Sequence, residues 1–571
     1  MSRLIGIIKK SLKKNKALYK RARLLRREYL ARTWGYPDWN RLLENHREAW
    51  DTALNRSQEG PNVLLATSVG AYLAGATLES VLGVALTLRG AKVHVLLCDS
   101  ALPACFDCEV TWFPNQERFI NQGPSQDLCK SCFSPAYEMY RSLGFVIHRY
   151  TDFLTDTSFR FSDEITNSLP VSQIRDYRFE GVRVGEHALA GALRFYARAS
   201  LKDEPHADAV LRRYFKAALL TTIATRNLLK GLRFDCITFH HGIYVPQGLI
   251  GEVARQEKVR VVNWNPAYRK RCFIFSHHDT YHHTLLSEPV EQWEDMTWTP
   301  QLEGKLLAYL KSRWHGTEDW IWFHERPQTD LNRISNETGI DFSKTCVGLL
   351  TNVMWDAQLH YPANAFPNML EWVLHTISYF SNRPELQLLI RVHPAEMRGT
   401  LESRQPIINE IKKTFPVLPK NVFIIPPESR ASTYAVMASC NAAIIYGTKT
   451  GIELASLGIP VIVAGEAWVK NKGISIDASS SEEYLKILDR LPFNDGLDKR
   501  TIERARKYAY HFFFRRMIPL ECMEPTGTHP PFRLKLNDLN GLMPGRSNGL
   551  DVICKGILEG SEFIYPEEGL V

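Results

Sequence analysis

The sequence predicts two doubly wound α/β domains in tandem, and three observations predict it. Short β-branched runs alternate with helical patterns between about residues 60 and 290, as in a parallel sheet with helices on both faces. The alternation stops at a polar, aromatic-rich connection and begins again near Lys344. The 571 residues are 44% apolar and 23% charged. That is enough for a core in each unit, and it excludes wholesale disorder, collagen-like repeats and a disulfide miniprotein.

Residues 1–50 read as a basic arm. Positions 1–34 carry twelve Lys/Arg against the single acid Glu28, while the whole chain is only +8, so the basicity belongs to the arm and not to the body. Leu4, Ile5, Ile8 and Leu12 fall on one helical face with lysines on the other. Such a helix suits an anionic membrane surface, each cation near it contributing about 1 kcal/mol. A nucleic-acid-binding tail and a solvated helix are the alternatives; a body without a basic–aromatic stripe speaks against nucleic acid. No continuous apolar core and cleavage site follow the charges, so the arm is not a secretory signal. The expected location is cytoplasmic, peripheral on the inner face of the plasma membrane.

The uncharged stretch Gly60 to Leu78 has the length of a membrane span. Its proline, asparagine and glycines fit strand Asn62–Thr67, a glycine turn and a helix over 71–89 better. Strands Lys92–Leu97, Phe145–His148, Cys236–Phe239 and Val259–Val262, with helices in 183–230 and over Gln247–Gln256, complete a first domain over 51–330. A Cys-rich insert occupies 98–135. The second domain, 340–497, has strands Cys346–Leu350, Gln387–Ile390, Val422–Ile425, Ala442–Ile445 and Val461–Ala464. Its helices lie near 366–380, 401–414, 431–438, 450–457 and 481–490, and 498–571 form a crossing helix and tail. Ligands in such sheets sit beyond the carboxyl ends of the strands, so residues just after each strand are the candidates for chemistry.

In the second domain, Gln387–Ile390 runs into Arg391-Val392-His393-Pro394. A cation and a hydrogen-bond donor then stand at a strand end, and both suit an anionic oxygen. After Ala442–Ile445 comes Tyr446-Gly447-Thr448-Lys449-Thr450-Gly451-Ile452-Glu453, opening a helix. Gly447 and Gly451 permit close backbone approach, Thr448 and Thr450 offer hydroxyls, and the helix start offers N–H groups for a phosphate. Glu453 is placed to accept from ribose hydroxyls.

The order strand–R-x-H-P, then strand–G-T-x-T-G-x-E-L-A-x-x-G-x-P-V-I, resembles the C-terminal domain of GT-B-fold glycosyltransferases. It looks most like the bacterial capsule and surface-polysaccharide synthesis family, with its sialyltransferase-like, 3-deoxy-manno-octulosonate and teichoic-acid glycerophosphotransferase relatives. The resemblance covers about 345–490 well and 60–290 more loosely. It implies that His393, Thr448 and Thr450 hold the phosphates of a nucleotide-sugar donor. It also implies transfer to a glycan or lipid-linked acceptor in surface-glycan assembly, with no catalytic metal. Sialyltransferase-like members carry a Ser-Ser/Thr pair where this chain has Thr448-Lys449-Thr450, which leaves UDP-, GDP- and CMP-linked donors open.

Cys236–Phe239 leads into His240-His241-Gly242. A His-Gly at a strand end resembles the glycerophosphotransferase pattern, whose His is the proposed base toward the acceptor hydroxyl; this implies His241 for that role. Asp356, after Cys346–Leu350, is the rival acid or base. The run Ser276–His283 is dense in metal-ligand types but reads as a polar cleft wall. His511-Phe512-Phe513-Phe514-Arg515-Arg516 offers an aromatic–basic helix end for lipid.

Cys105-x2-Cys108 and Cys129-x2-Cys132 match zinc-binding spacing at its upper limit, with Cys98 as a spare. A closed structural zinc would hold an insert too small for a core of its own; an iron–sulfur cluster or plain thiols are the alternatives. The rival function classes are a polyol-phosphate transferase with a CDP-linked donor, a nucleotide-sugar epimerase of the same fold, and a non-enzymatic export or scaffold protein.

Overall fold

A computed structural model describes residues 15–566, apart from 34, 315, 317, 321–326, 357, 400, 494, 528 and 529. The first sheet grows from buried apolar strands. β1 (Asn62–Ser68), β2 (Lys92–Leu97), β3 (Val146–Arg149), β4 (Cys236–His240) and β5 (Arg260–Pro266) run parallel in the order β3-β2-β1-β4-β5. Two strands extend it antiparallel: β6 (Cys272–His277) folds back on β5, and β13 (Ile518–Pro519) on β6. β6 stands outside the expected strands, because its apolar run Cys272–Phe275 passes directly into the histidine-rich segment.

The second sheet is wholly parallel. β7 (Cys346–Leu350), β8 (Gln387–Arg391), β9 (Val422–Ile425), β10 (Ala442–Ile445), β11 (Val461–Val463) and β12 (Ile476–Asp477) take the order β12-β11-β10-β7-β8-β9. Strand order therefore reverses between β1 and β4 in one domain and between β7 and β10 in the other. Those are the two switch points at which such sheets bind ligands.

Six helices position the first domain: α1 (Lys16–Thr33), α2 (Leu73–Leu88), α3 (Lys130–Ser142), α4 (Val184–Tyr196), α5 (Ala207–Gly231) and α6 (Gln247–Gln256). Every residue of α2 is buried, which explains why this region reads as an uncharged span. Among the described residues no helix is long and apolar enough to cross a membrane. Its one acid, Glu79, accepts from Trp264 Nε1 at 2.9 Å, and burial pushes its pKa up to about 7.

The core also corrects one boundary and one proposed contact. Trp39 and Trp50 are buried among the side chains of α2, so the first domain begins before residue 51. Leu4, Ile5, Ile8 and Leu12 lie outside the described residues. The aromatic run at 511–516 is not a lipid contact, because Phe512, Phe513 and Phe514 are buried. His511 Nε2 and Arg516 Nε meet the Glu288 carboxylate at 3.0 and 3.2 Å.

Between the sheets run α7 (Tyr281–Ser287) and α8 (Pro300–Arg313); α9 (Thr450–Ser456) follows β10 and α10 (Lys499–Tyr510) follows the second sheet. The chain then returns to the first domain, where β13 joins the sheet and α11 (Asn548–Glu559) covers α2. An Arg89–Asp551 ion pair at 2.5 Å ties α11 down.

Candidate active site

At the first switch point, β4 ends in a sharp turn. His241 adopts φ 64° and Gly242 φ 77°, with the His241 N–H on Trp264 O at 3.0 Å and the Gly242 N–H on His240 O at 2.8 Å. A side chain in this left-handed region costs on the order of 1–3 kcal/mol and is found where geometry matters to function. A Cβ on Gly242 would stand 2.9 Å from Asn263 Nδ2, so the His-Gly pair is fixed by both conformation and space. Burial holds the His241 pKa below its ordinary value; Asp356 opposes that and Arg194 adds to it. The imidazole is neutral at pH 7, as a base must be. Its buried Nδ1 has no protein partner.

Asp356 stands on the other side of the cleft, in the loop after β7. Its Oδ1 accepts from Tyr244 Oη at 2.7 Å, and the Tyr244 ring is 5.4 Å from that of His241. The two residues read as rivals belong to one cluster bridging the domains. Its wall comes from the Cys-rich insert: the Phe106 N–H bonds Val245 O at 2.9 Å. The Arg194 guanidinium lies 5.5 Å from both the Phe106 and Tyr244 rings.

At the second switch point, the His393 N–H binds Thr351 Oγ1 at 3.0 Å, and His393 Nδ1 accepts from the Ala395 N–H at 3.1 Å. An accepting Nδ1 puts the ring proton on Nε2. Burial, then Arg391 and Lys449, bring the His393 pKa down to about 4, so it is a neutral N–H donor at working pH. Asn352 Nδ2 donates to Gly447 O at 3.2 Å and joins the loops after β7 and β10. In that loop, Thr448 Oγ1 accepts the Thr450 N–H at 3.3 Å and donates to Thr450 Oγ1 at 3.2 Å. Asn352 Oδ1 and Trp355 Nε1 are buried without a protein partner.

Three donor-site expectations change. Arg391 is 1% exposed; its guanidinium donates to Pro426 O at 2.6 Å, Ser429 O at 3.2 Å and Thr433 Oγ1 at 3.3 Å. Those bonds hold the loop after β9, so Arg391 shapes the site from beneath and presents no fork to a ligand. Glu453 is also buried, its carboxylate taken by Arg313 Nε at 2.9 Å and Lys449 Nζ at 2.7 Å, and it does not face a ribose. Gly451 is a packing glycine, since a Cβ there would lie 2.5 Å from Ile445 Cδ1.

The histidine-rich run forms an interdomain wall. His282 Nε2 meets Glu466 Oε2 at 3.2 Å, and His283 bonds Asp279 Oδ2 at 3.1 Å and His360 O at 2.7 Å. His282, His283 and Glu466 have ligand atoms within 4.8 Å of one another. Both nitrogens of His283 already face acceptors, which makes it a charged clasp; Asp279 correspondingly raises its pKa.

In the insert, Cys105 and Cys108 bring their sulfurs to 3.9 Å, close to the edge of a tetrahedron with Zn–S bonds of about 2.3 Å. Cys132 Sγ accepts the Ala71 N–H at 3.3 Å, and Cys98 lies within electrostatic reach of Cys105, Cys129 and Cys132. Cys132 sits on α3, so the insert is not a simple knuckle.

Sequence reading missed Tyr244, Asn352 and Lys449 as site residues. Lys449 lies inside a motif and Tyr244 and Asn352 just after strands, but the role of each depends on a partner across the cleft or on a neighbouring loop. Arg194, inside α4, carried no motif signal.

No protein-family model and no curated protein matches this chain. Among solved structures it is similar to the KpsC β-Kdo 2,4 transferase of Thermosulfurimonas dismutans, at 12% identity and TM-score 0.34, covering 54% of this chain and 87% of that one. It is similar to the UDP-GlcNAc 2-epimerase of Neisseria meningitidis at 10% and 0.24, covering 79% and 97%. The spinosyn rhamnosyltransferase SpnG follows at 10% and 0.23, covering 78% and 95%. Likenesses this distant carry no inference about chemistry, which rests on the residues of the cleft.

Proposed function

We propose that this chain is a glycosyltransferase that moves a sugar from a nucleotide-activated donor to a glycan acceptor in surface-polysaccharide assembly. The observation that carries the reading is the facing of two switch-point sites across one cleft. One offers a strained, neutral histidine beside an aromatic wall; the other offers phosphate-type donors on the loops after β8 and β10.

In this reading the donor diphosphate lies on the loop after β10. The His393 Nε2–H, the Thr448 and Thr450 hydroxyls and the Lys449 ammonium stabilise charge as the nucleotide leaves. His241 takes the proton of the acceptor hydroxyl as its oxygen attacks the anomeric carbon and the bond to the leaving phosphate breaks. Phe106 and Tyr244 offer ring faces to the acceptor. Protein cations and N–H donors meet the leaving group, so the reading assigns no catalytic metal.

The test is thermal melting with UDP, GDP, CDP and CMP and their sugars. A bound nucleotide at 100 times its Kd adds about 2.7 kcal/mol of stability, and His393→Ala is expected to lose the shift. A flat response to every nucleotide overturns the reading.

Zinc in the insert belongs to the same proposal. The Cys105–Cys108 pair is expected to bind it with Cys129 and Cys132, holding Phe106 against the cleft. Purified chain should carry one zinc by elemental analysis, and Cys105→Ser should lose it. Metal-free native protein with normally reactive thiols would overturn that part alone.

A further inference from the structure

The helix α1 is anchored by one face. Lys20 Nζ pairs with Asp127 at 3.1 Å and Arg23 with Glu109 at 2.7 Å, and the Arg23 guanidinium sits 3.5 Å over the Trp112 ring. Leu24 packs on the core beneath. Two cations read from the sequence as membrane-seeking are thus spent on the protein itself. They fix the rotation of the helix about its axis.

That rotation turns an apolar stripe outward. Leu18 is 51% exposed, Leu25 60% and Tyr29 57%. At about 100° per residue these three fall within roughly 40° of one another, opposite Lys20, Arg23 and Leu24. Among the described residues few large apolar side chains are so open, and three of them share one face of one helix. Arg21, also exposed, flanks the stripe, and the segment 1–34 carries twelve Lys/Arg against one acid. A solvated helix has no use for such a stripe. Nucleic acid is read by cations and stacking rings and would leave Leu18 and Leu25 in water. Apolar side chains that enter the acyl boundary, flanked by cations at headgroup depth, describe an interfacial helix.

We propose that the outward face of α1 is a docking surface for an anionic lipid bilayer, with Leu18, Leu25 and Tyr29 as its inserted contacts. The placement has a consequence that rests on the transferase reading. α1 is bolted to residues 109–127 of the insert, and the same insert delivers Phe106 to the acceptor wall. A bilayer under α1 therefore lies on the acceptor side of the molecule, the side from which a lipid-linked glycan would arrive.

The test is co-sedimentation of the full chain with vesicles of phosphatidylcholine alone and of phosphatidylcholine with phosphatidylglycerol. Binding is expected only to the anionic vesicles and should weaken at high salt as screening shortens. The double variant Leu18→Glu, Leu25→Glu should bind roughly tenfold more weakly or worse, with an unchanged melting temperature because both sites are exposed. If its melting falls, Leu25→Ala is the milder probe. A chain lacking residues 1–14 should keep the part of the binding that depends on the stripe. Failure to bind anionic vesicles, or binding indifferent to the stripe, overturns the proposal; capture by single-stranded nucleic acid in place of vesicles does the same. None of these outcomes depends on the nucleotide melting shift, so the two proposals fail separately.

Discussion

Replacing His241 by Ala is expected to lower kcat by about 10²–10⁴-fold while leaving the nucleotide-induced melting shift intact. The base lies in the first domain and the donor groups in the second, so chemistry and donor binding should separate cleanly. The neutral state of His241 sets the pH profile. Burial keeps its pKa below the ordinary 6.5, so kcat/KM should stay level from neutrality down to below that value and fall as the imidazole takes up its proton. Asp356 pulls the same pKa upward and orients Tyr244 at 2.7 Å. Asp356→Asn should therefore move the acid limb to lower pH, with a smaller loss of rate. If His241→Ala keeps full activity, the proton goes elsewhere and Asp356 becomes the base. An unmoved limb in Asp356→Asn would confine that residue to holding Tyr244.

The fold was legible because its cause is local. β-branched runs such as Val461–Val463 and Val422–Ile425 carry their strand preference in themselves, and Gln247–Gln256 had both ends marked, by Pro246 before it and a charged break after it. β6 escaped because a strand that folds back beside its neighbour needs no crossover helix, so the alternation that revealed the others had nothing to show. The candidate site was legible by position and misread in detail. His241, His393 and Thr448 follow strands at the switch points, and strand order alone places them in the cleft. Arg391 and Glu453 occupy positions just as suggestive, but their partners decide their roles. The Arg391 acceptors Pro426 and Ser429 belong to a neighbouring loop, and the Arg313 that claims Glu453 is 140 residues away in sequence. Spacing within a motif carries no information about such a partner.

That buried network supplies the largest expected effect on stability. Arg313 donates to Glu453 at 2.9 Å, to Tyr309 Oη at 2.9 Å and to Tyr434 Oη at 3.3 Å, and it pairs with Asp319. Arg313, Glu453 and Asp319 are all at least nine-tenths buried. Arg313→Met leaves two carboxylates facing one ammonium, Lys449, in an apolar surround. Removing one partner of a buried ion pair costs about 3–5 kcal/mol, mostly through the charge left behind. The sign of the pH dependence follows from the same groups. In the native chain Glu453 is held below its ordinary pKa although burial pushes it up, because Arg313 and then Lys449 outweigh burial. Without Arg313 burial gains the upper hand, the folded-state pKa rises, and the variant's deficit is full at neutral pH and shrinks as acid protonates the carboxylate. Denaturant melts of Arg313→Met at neutral and mildly acid pH should show the deficit narrowing. Adding Glu453→Gln and Asp319→Asn should recover part of it at neutral pH by removing the stranded charges. The same triple variant frees the Lys449 ammonium from Glu453, so its nucleotide shift distinguishes two roles for that lysine. A shift that survives means that the Lys449–Glu453 pair is not needed to shape the donor site, whereas a lost shift means the network's main work is to hold the 447–450 loop in place.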